Sequence, residues 1–280
     1  MDVIAGARLE IAKTGRRSLK PALGGIAALL MLSCSEDSTS TTQPAAGGSP
    51  ADTAGSPADT AGSPADTAGG SSNNGARCSP AKGTTGNPKT IYEAVNLING
   101  LPHPVDFPCM LESLDRPLSL NANFNTQSAQ PAQGKRSPRI FIILNESLSV
   151  SLIPGGTTLE FGERDAGGTT SVKAELHFPV EDQLLPEEAF SRLSPAENTG
   201  LTLDQASSCG VCHDNEEPAP DYPFRGAFRS ARVRPQSFFA VDVTAIRQER
   251  DTCDSASEPE RCAMLKALFD HGDVVQTAFP

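Results

Sequence analysis

Residues 35–77 contain no apolar side chain larger than alanine, and this confines folding to the remainder of the chain. The segment is Ser, Thr, Ala, Gly, Pro, Asp and Asn in near-repetition, and Gly-Ser-Pro-Ala-Asp-Thr-Ala recurs in tandem from Gly48, Gly55 and Gly62. A seven-residue period without an apolar seam, carrying Gly and Pro in every unit, excludes a coiled coil. Such a stretch cannot bury enough surface to offset its ordering entropy, so it is expected to be a disordered tether. Its root-mean-square reach would be roughly 35–40 Å. A core is therefore sought in the two hundred or so residues from Cys78 onward.

Residues 1–33 read as a targeting segment. Arg8, Lys13, Arg16, Arg17 and Lys20 form a positive region, and Ala22 to Leu32 is a short uncharged apolar run. A stable transmembrane helix needs about 20 apolar residues, so a cleaved export signal fits better than a span. The run ends in Leu30-Met31-Leu32-Ser33-Cys34. This resembles the lipobox of bacterial lipoproteins, although Leu32 stands where a smaller residue is usual. The resemblance implies lipidation at Cys34 and a protein anchored to the membrane of the cell envelope, facing the periplasm or the cell surface.

Without residues 1–33 the chain holds 18 basic and 32 acidic residues, a net charge of −14. That balance argues against nucleic acid, whose phosphates require a basic surface. It suits a soluble partner with a basic face. Trp is absent and only two Tyr occur, so the core must rest on Phe, Leu, Ile and Val.

The seven cysteines divide without remainder. Cys34 is assigned to lipid. Cys209-Gly210-Val211-Cys212-His213 has the C-x-x-C-H spacing of covalent haem attachment. Cys78, Cys109, Cys253 and Cys262 remain, an even set in a compartment where disulfides persist. Proximity suggests Cys78–Cys109 and Cys253–Cys262, each worth about 2–4 kcal/mol in the chain-entropy model. The C-x-x-C-H motif and its exported context resemble the c-type cytochromes. The resemblance covers these five residues and not the chain as a whole, and the continuation Asp214-Asn215-Glu216-Glu217-Pro218 lacks the Gly-rich sequence common in small cytochromes. It implies haem c bonded through Cys209 and Cys212, with His213 as an axial ligand. For the opposite axial position Met264 and His271 are the candidates, and an open position is the third choice.

Other uses of the cysteine pair stay open. A thioredoxin-type pair would come after a buried strand and open a long helix. Here Thr199 to Ser208 is polar, and prolines 218, 220 and 223 interrupt the chain beyond the motif. Zinc would need two further ligands at close spacing. A plain Cys209–Cys212 disulfide is the remaining alternative.

Local patterns give an α+β expectation. Thr90 and Glu93 form a capping box before the apolar face Ile91, Ala94, Val95 and Ile98, which predicts a helix over 90–99. Residues 139–178 read as an antiparallel meander of about four strands. Residues 147–152 and 171–178 alternate strictly, and Ile140 to Leu144 is uniformly apolar. His177 shares a face with Lys173 and Glu175 and reads as a surface residue. Ser257, Glu260 and Pro259 predict a terminal helix with the apolar stripe Met264, Leu265, Leu268 and Phe269, ended by Gly272. Phe224, Phe228, Phe238 and Phe239 are candidates for a haem pocket or for ordinary core.

The resulting expectation has four parts. They are a signal peptide at 1–33, a lipidated tether at 34–77, a β-rich module at 78–198 and a mainly helical, loop-rich haem module at 199–280. The function expected is one-electron transfer rather than catalysis. The alternative is a haem-free structural or binding lipoprotein stapled by three disulfides.

Overall fold

A computed structural model describes residues 78–280 apart from 127, 129, 192, 194–199 and 214. The expectations for the signal segment, Cys34 and the tether lie outside the described residues.

The described residues begin with two helices, α1 (Ile91–Asn99) and α2 (Phe107–Ser113). Five strands come next: β1 (Leu118–Asn123), β2 (Arg139–Ile143), β3 (Leu148–Leu152), β4 (Thr158–Arg164) and β5 (Thr170–His177). A short α3 (Glu188–Ser191) precedes β6 (Glu217–Pro218) and β7 (Phe228–Ala231). The chain ends in α4 (Val243–Asp251), α5 (Pro259–Phe269) and β8 (Val274–Gln276). The eight strands form one sheet in the order β6-β7-β5-β4-β3-β2-β1-β8. Every pairing is antiparallel except β1 with β8, so the sheet is mixed and the fold is α+β.

The alternation in the sequence explains the meander from β2 to β5. Leu120, Ile142, Val150, Phe161 and Ala174 stand in cross-strand register, one from each of β1 to β5. All five are buried, and they join one core with Ile91, Ala94 and Ile98 of α1, Met110 and Leu111 of α2, and Leu265 and Leu268 of α5. Burying each large aliphatic side chain stabilises the fold by about 1.5–3 kcal/mol. Residues on both sides of the expected 198/199 boundary share this sheet and this core, because β6, β7 and β8 form its two edges.

The helix starts differ in quality. The Thr90 hydroxyl accepts the Glu93 N–H at 3.2 Å, and Glu93 returns to the Lys89 N–H at 2.6 Å. Glu163 of β4 adds a second anchor by accepting the Ile91 N–H at 2.7 Å and the Tyr222 hydroxyl. Burial pushes the Glu163 carboxyl up, against the lowering effect of both bonds. At α5 the sequence expectation needs correction. Glu258, not Ser257, is the cap, and it makes no side-chain capping bond. Ser257 instead donates to Asp254 Oδ2 at 2.9 Å, inside the turn that Cys253–Cys262 closes.

Both expected disulfides are present. Cys78–Cys109 ties the start of the described chain to α2, and Cys253–Cys262 ties the end of α4 to α5, with Cα separations of 5.2 and 5.6 Å. Among the described residues no helix is long and apolar enough to cross a membrane.

Candidate functional site under the Cys-x-x-Cys-His turn

The motif occupies a short 3-10 turn, Ser208–Val211. Ser207 caps it, its hydroxyl accepting the Cys209 N–H at 3.1 Å. Glu216 in turn fixes Ser207 by accepting both its N–H, at 2.7 Å, and its hydroxyl. A Cβ at position 210 would stand 2.7 Å from a Glu216 carboxylate oxygen, so a larger residue there would displace the carboxylate that fixes Ser207. Cys212 and His213 both donate their N–H groups to the Cys209 carbonyl, at 3.1 and 2.9 Å.

The imidazole of His213 is oriented by an edge strand. Its Nδ1 lies 2.8 Å from the Ala231 carbonyl oxygen on β7. A carbonyl can only accept, so the proton is on Nδ1, and Nε2 carries a lone pair while the ring is neutral. Burial, with the nearby Lys173 ammonium second to it, pushes the His213 pKa down and favours that neutral form. Cys209 and Cys212 are not joined to one another. Cys212 is exposed, whereas Cys209 is half-buried and burial pushes its thiol up to about 11. A thiol held so firmly protonated is a poor attacking group for thioredoxin-type exchange, which depends on thiolate.

Cys209, Cys212 and His213 line a cavity of about 140 Å³ whose other side is the sheet face opposite the helices. Small residues dominate the centre of that face: Ser149 and Ser151 on β3, Gly162 on β4 and Ser171 on β5. Phe141, Leu193, Val233 and Phe279 supply apolar walls. Arg139 lies beneath, with 4% of its side chain exposed, ion-paired with Glu160 and donating to Ser151 Oγ and the Gln130 carbonyl at 2.8 Å each. Its Nε is buried and has no hydrogen-bond partner among the described residues. Lys173 donates to Ser171, and burial pushes its pKa down to about 8. Arg232 donates to the Gly168 carbonyl at 2.7 Å and to the oxygen of the last residue, Pro280, at 2.6 Å. Burial lowers its pKa, and the adjacent Arg164 and Arg234 lower it further.

The sequence-derived candidates thus separate. Cys209, Cys212 and His213 meet on one cavity. Met264 and His271 do not line it. Met264 is 1% exposed in the core, and its sulfur accepts the Gly155 N–H at 3.1 Å. His271 pairs with Glu112 at 3.2 Å. None of the four candidate pocket phenylalanines lines the cavity either. Phe224 packs edge-on against Tyr92, Phe228 is buried on β7, Phe238 is exposed and Phe239 stands edge-on to Phe124. Lys173, Arg139 and Arg232 are site residues that sequence reasoning misses. Only Lys173 carries a signal, as a cation on the polar side of the alternating strand β5. His177 is exposed, 3.3 Å from Glu175, as its surface reading expected. Among the described residues no three His, Cys, Asp or Glu side chains converge on a metal position.

No protein-family description, curated protein or solved structure matches this chain.

Proposed function

We propose that Cys209 and Cys212 hold a c-type haem covalently, that His213 ligates its iron through Nε2, and that the protein is a one-electron carrier. One observation carries the reading. The Ala231 carbonyl occupies Nδ1 of His213 and leaves the Nε2 lone pair for the cavity, which both motif cysteines also line without being bonded to each other. A second group that fixes the tautomer and ring orientation is the usual support of a ligating histidine.

The donor set fits the group: two thiols can each add S–H across one vinyl double bond, the sulfur to one carbon and the hydrogen to the other. The enclosed space is smaller than the roughly 300–1,000 Å³ of pockets that bury a whole cofactor. This cavity would therefore not bury a whole tetrapyrrole held by the turn. When bound, the haem supplies a one-electron couple at its iron. The chain's own part is to anchor it through Cys209 and Cys212, to present a neutral imidazole at His213, and to hold the turn shut through Ser207 and Glu216. Met264 belongs to the core in this reading, and neither it nor His271 is assigned as a second ligand. Lipidation at Cys34 and the tether would hold the carrier off the envelope membrane. The acidic mature chain favours a redox partner with a basic face.

Expression with haem-attachment machinery tests the proposal. Intact mass should rise by one haem, and the absorption spectrum after denaturation in pyridine should show a haem with both vinyl groups saturated. Cys209→Ser with Cys212→Ser should abolish both signals. An unmodified mass together with a Cys209–Cys212 disulfide in non-reducing peptide maps would establish the haem-free alternative instead.

A further inference from the structure

We propose that Lys173, Arg164 and Arg232 form a subsite, within the cavity under the motif, for a carboxylate carried on an apolar body. The inference stands without the haem reading, because these cations belong to β4, β5 and the segment after β7 and not to the Cys-x-x-Cys-His turn.

Charge is the first ground. The whole chain carries −11, yet this cavity is lined by the four cations Arg139, Arg164, Lys173 and Arg232 against the two carboxylates Glu160 and Glu175. Both carboxylates are engaged, Glu160 with Arg139 and Glu175 with His177. Among the described residues no Asp or Glu carboxylate lies within 4.0 Å of Lys173, Arg164 or Arg232, and Arg232 alone of the three has another acidic partner, the oxygen of the last residue Pro280 at 2.6 Å. Like charges crowd one another here, since Arg164 and Arg234 both act on Arg232 and outweigh the opposing effect of Asp165. Holding an ammonium out of water without a counter-ion is unfavourable, and a bound anion would relieve it.

Shape is the second ground. Phe279 lies under the Arg232 guanidinium, 5.9 Å from its carbon, and Arg139 stands over Phe141 at 5.5 Å. Aromatic walls beside cations suit a ligand with one charged end and one apolar end, whereas a bare hydrated inorganic anion would leave those walls unused. Two sources can present this chemistry: the acid side chains of a tetrapyrrole held by the motif, or a free small organic acid.

The test uses the full chain with Cys209→Ala and Cys212→Ala, which cannot attach haem, so its result is independent of the attachment experiment. Calorimetric titration compares benzoate with uncharged benzamide. A parallel spectroscopic titration compares ferric haem with its dimethyl ester. The proposal expects saturable one-to-one binding in which at least one carboxylate form is favoured tenfold or more over its neutral counterpart. Lys173→Met should abolish that preference, and Lys173→Arg should retain it within about threefold. A preference confined to the haem pair assigns the tetrapyrrole as source, and one seen with benzoate assigns a free acid. If neither pair shows a preference, or if the preference survives Lys173→Met, the subsite does not exist.

Discussion

The two faces of the central sheet are built on opposite terms. On one, the row Leu120, Ile142, Val150, Phe161 and Ala174 runs buried across five strands beneath the helices. On the other, the neighbouring row Asn121, Phe141, Ser151, Glu160 and Glu175 is small, charged, polar and aromatic, and all but Asn121 line the cavity under the motif turn. The first face holds its elements together by removing apolar surface from water. The second encloses a cavity and, among the described residues, a buried lysine that forms no salt bridge and a buried arginine nitrogen without a hydrogen-bond partner. One strand set therefore supplies stability on one side and spends part of it on the other, which is how a binding or reactive site differs from a core.

Truncation on the helix-covered face should have the largest effect. Ile142→Ala removes a fully buried side chain from the centre of the apolar row, and the loss should be about 2–5 kcal/mol in urea unfolding. Binding of carboxylates by the folded protein should be unchanged. A loss below about 1 kcal/mol would mean that the row is not the structural half of the sheet.

Lys173→Met should change stability in the opposite direction, though the residue sits in the same sheet. The lysine is held at about 8 in the folded protein against an ordinary value of 10.5. Between those values the unfolded chain binds more protons than the folded one, so stability rises with pH across that window, and below it the full penalty is present. Methionine removes the penalty. The variant should gain up to about 3 kcal/mol at pH 7, and the gain should shrink steadily as pH rises from 8 toward 10.5. Cys209 works in the other sense, losing stability as pH rises through its raised value, and it is coupled to Lys173. Making the comparison in the chain with Cys209→Ala and Cys212→Ala removes that contribution and isolates residue 173. A gain that does not vary with pH would show that Lys173 is solvated and that the two faces do not differ in the way described.

What the sequence discloses divides along the same line. The apolar face announces itself through period-two alternation, which is why the strands around Ile140, Val150 and Ala174 are legible, as is α1 from Thr90 and Glu93. The edges are not. β6, β7 and β8 run two to four residues each, and strands that short carry too few alternations to be distinguished from loop. The sharing of one sheet by residues before and after position 199 is hidden for the same reason, since the connection is made by those short strands. At the site, Cys209, Cys212 and His213 stand out because their spacing is local. Lys173, Arg139 and Arg232 do not, because they come from β5, β2 and the segment after β7 and meet only when the sheet forms. Lys173 and His177 lie on the same side of β5, yet one is covered by the motif turn and the other is exposed. No periodicity within the strand records where a distant turn will land.

The smallest expected change in stability is also the sharpest test of the contrast. Gly162 sits in the middle of β4, in register with Ser149 on one side and Lys173 on the other. A Cβ added there would meet only the Ser149 hydroxyl, at 3.4 Å, and would otherwise enter the cavity. Glycine inside a strand costs about 0.5–1 kcal/mol relative to alanine, because the unfolded chain gains more freedom from it. Gly162→Ala should therefore raise stability by about that amount. In the thiol-free chain it should also weaken carboxylate binding, since the added methyl takes up space a ligand would use. Paired unfolding and titration experiments read both effects. If Gly162→Ala instead costs more than about 1 kcal/mol, this face is packed as closely as its opposite, and the space beneath the motif is not available to a ligand.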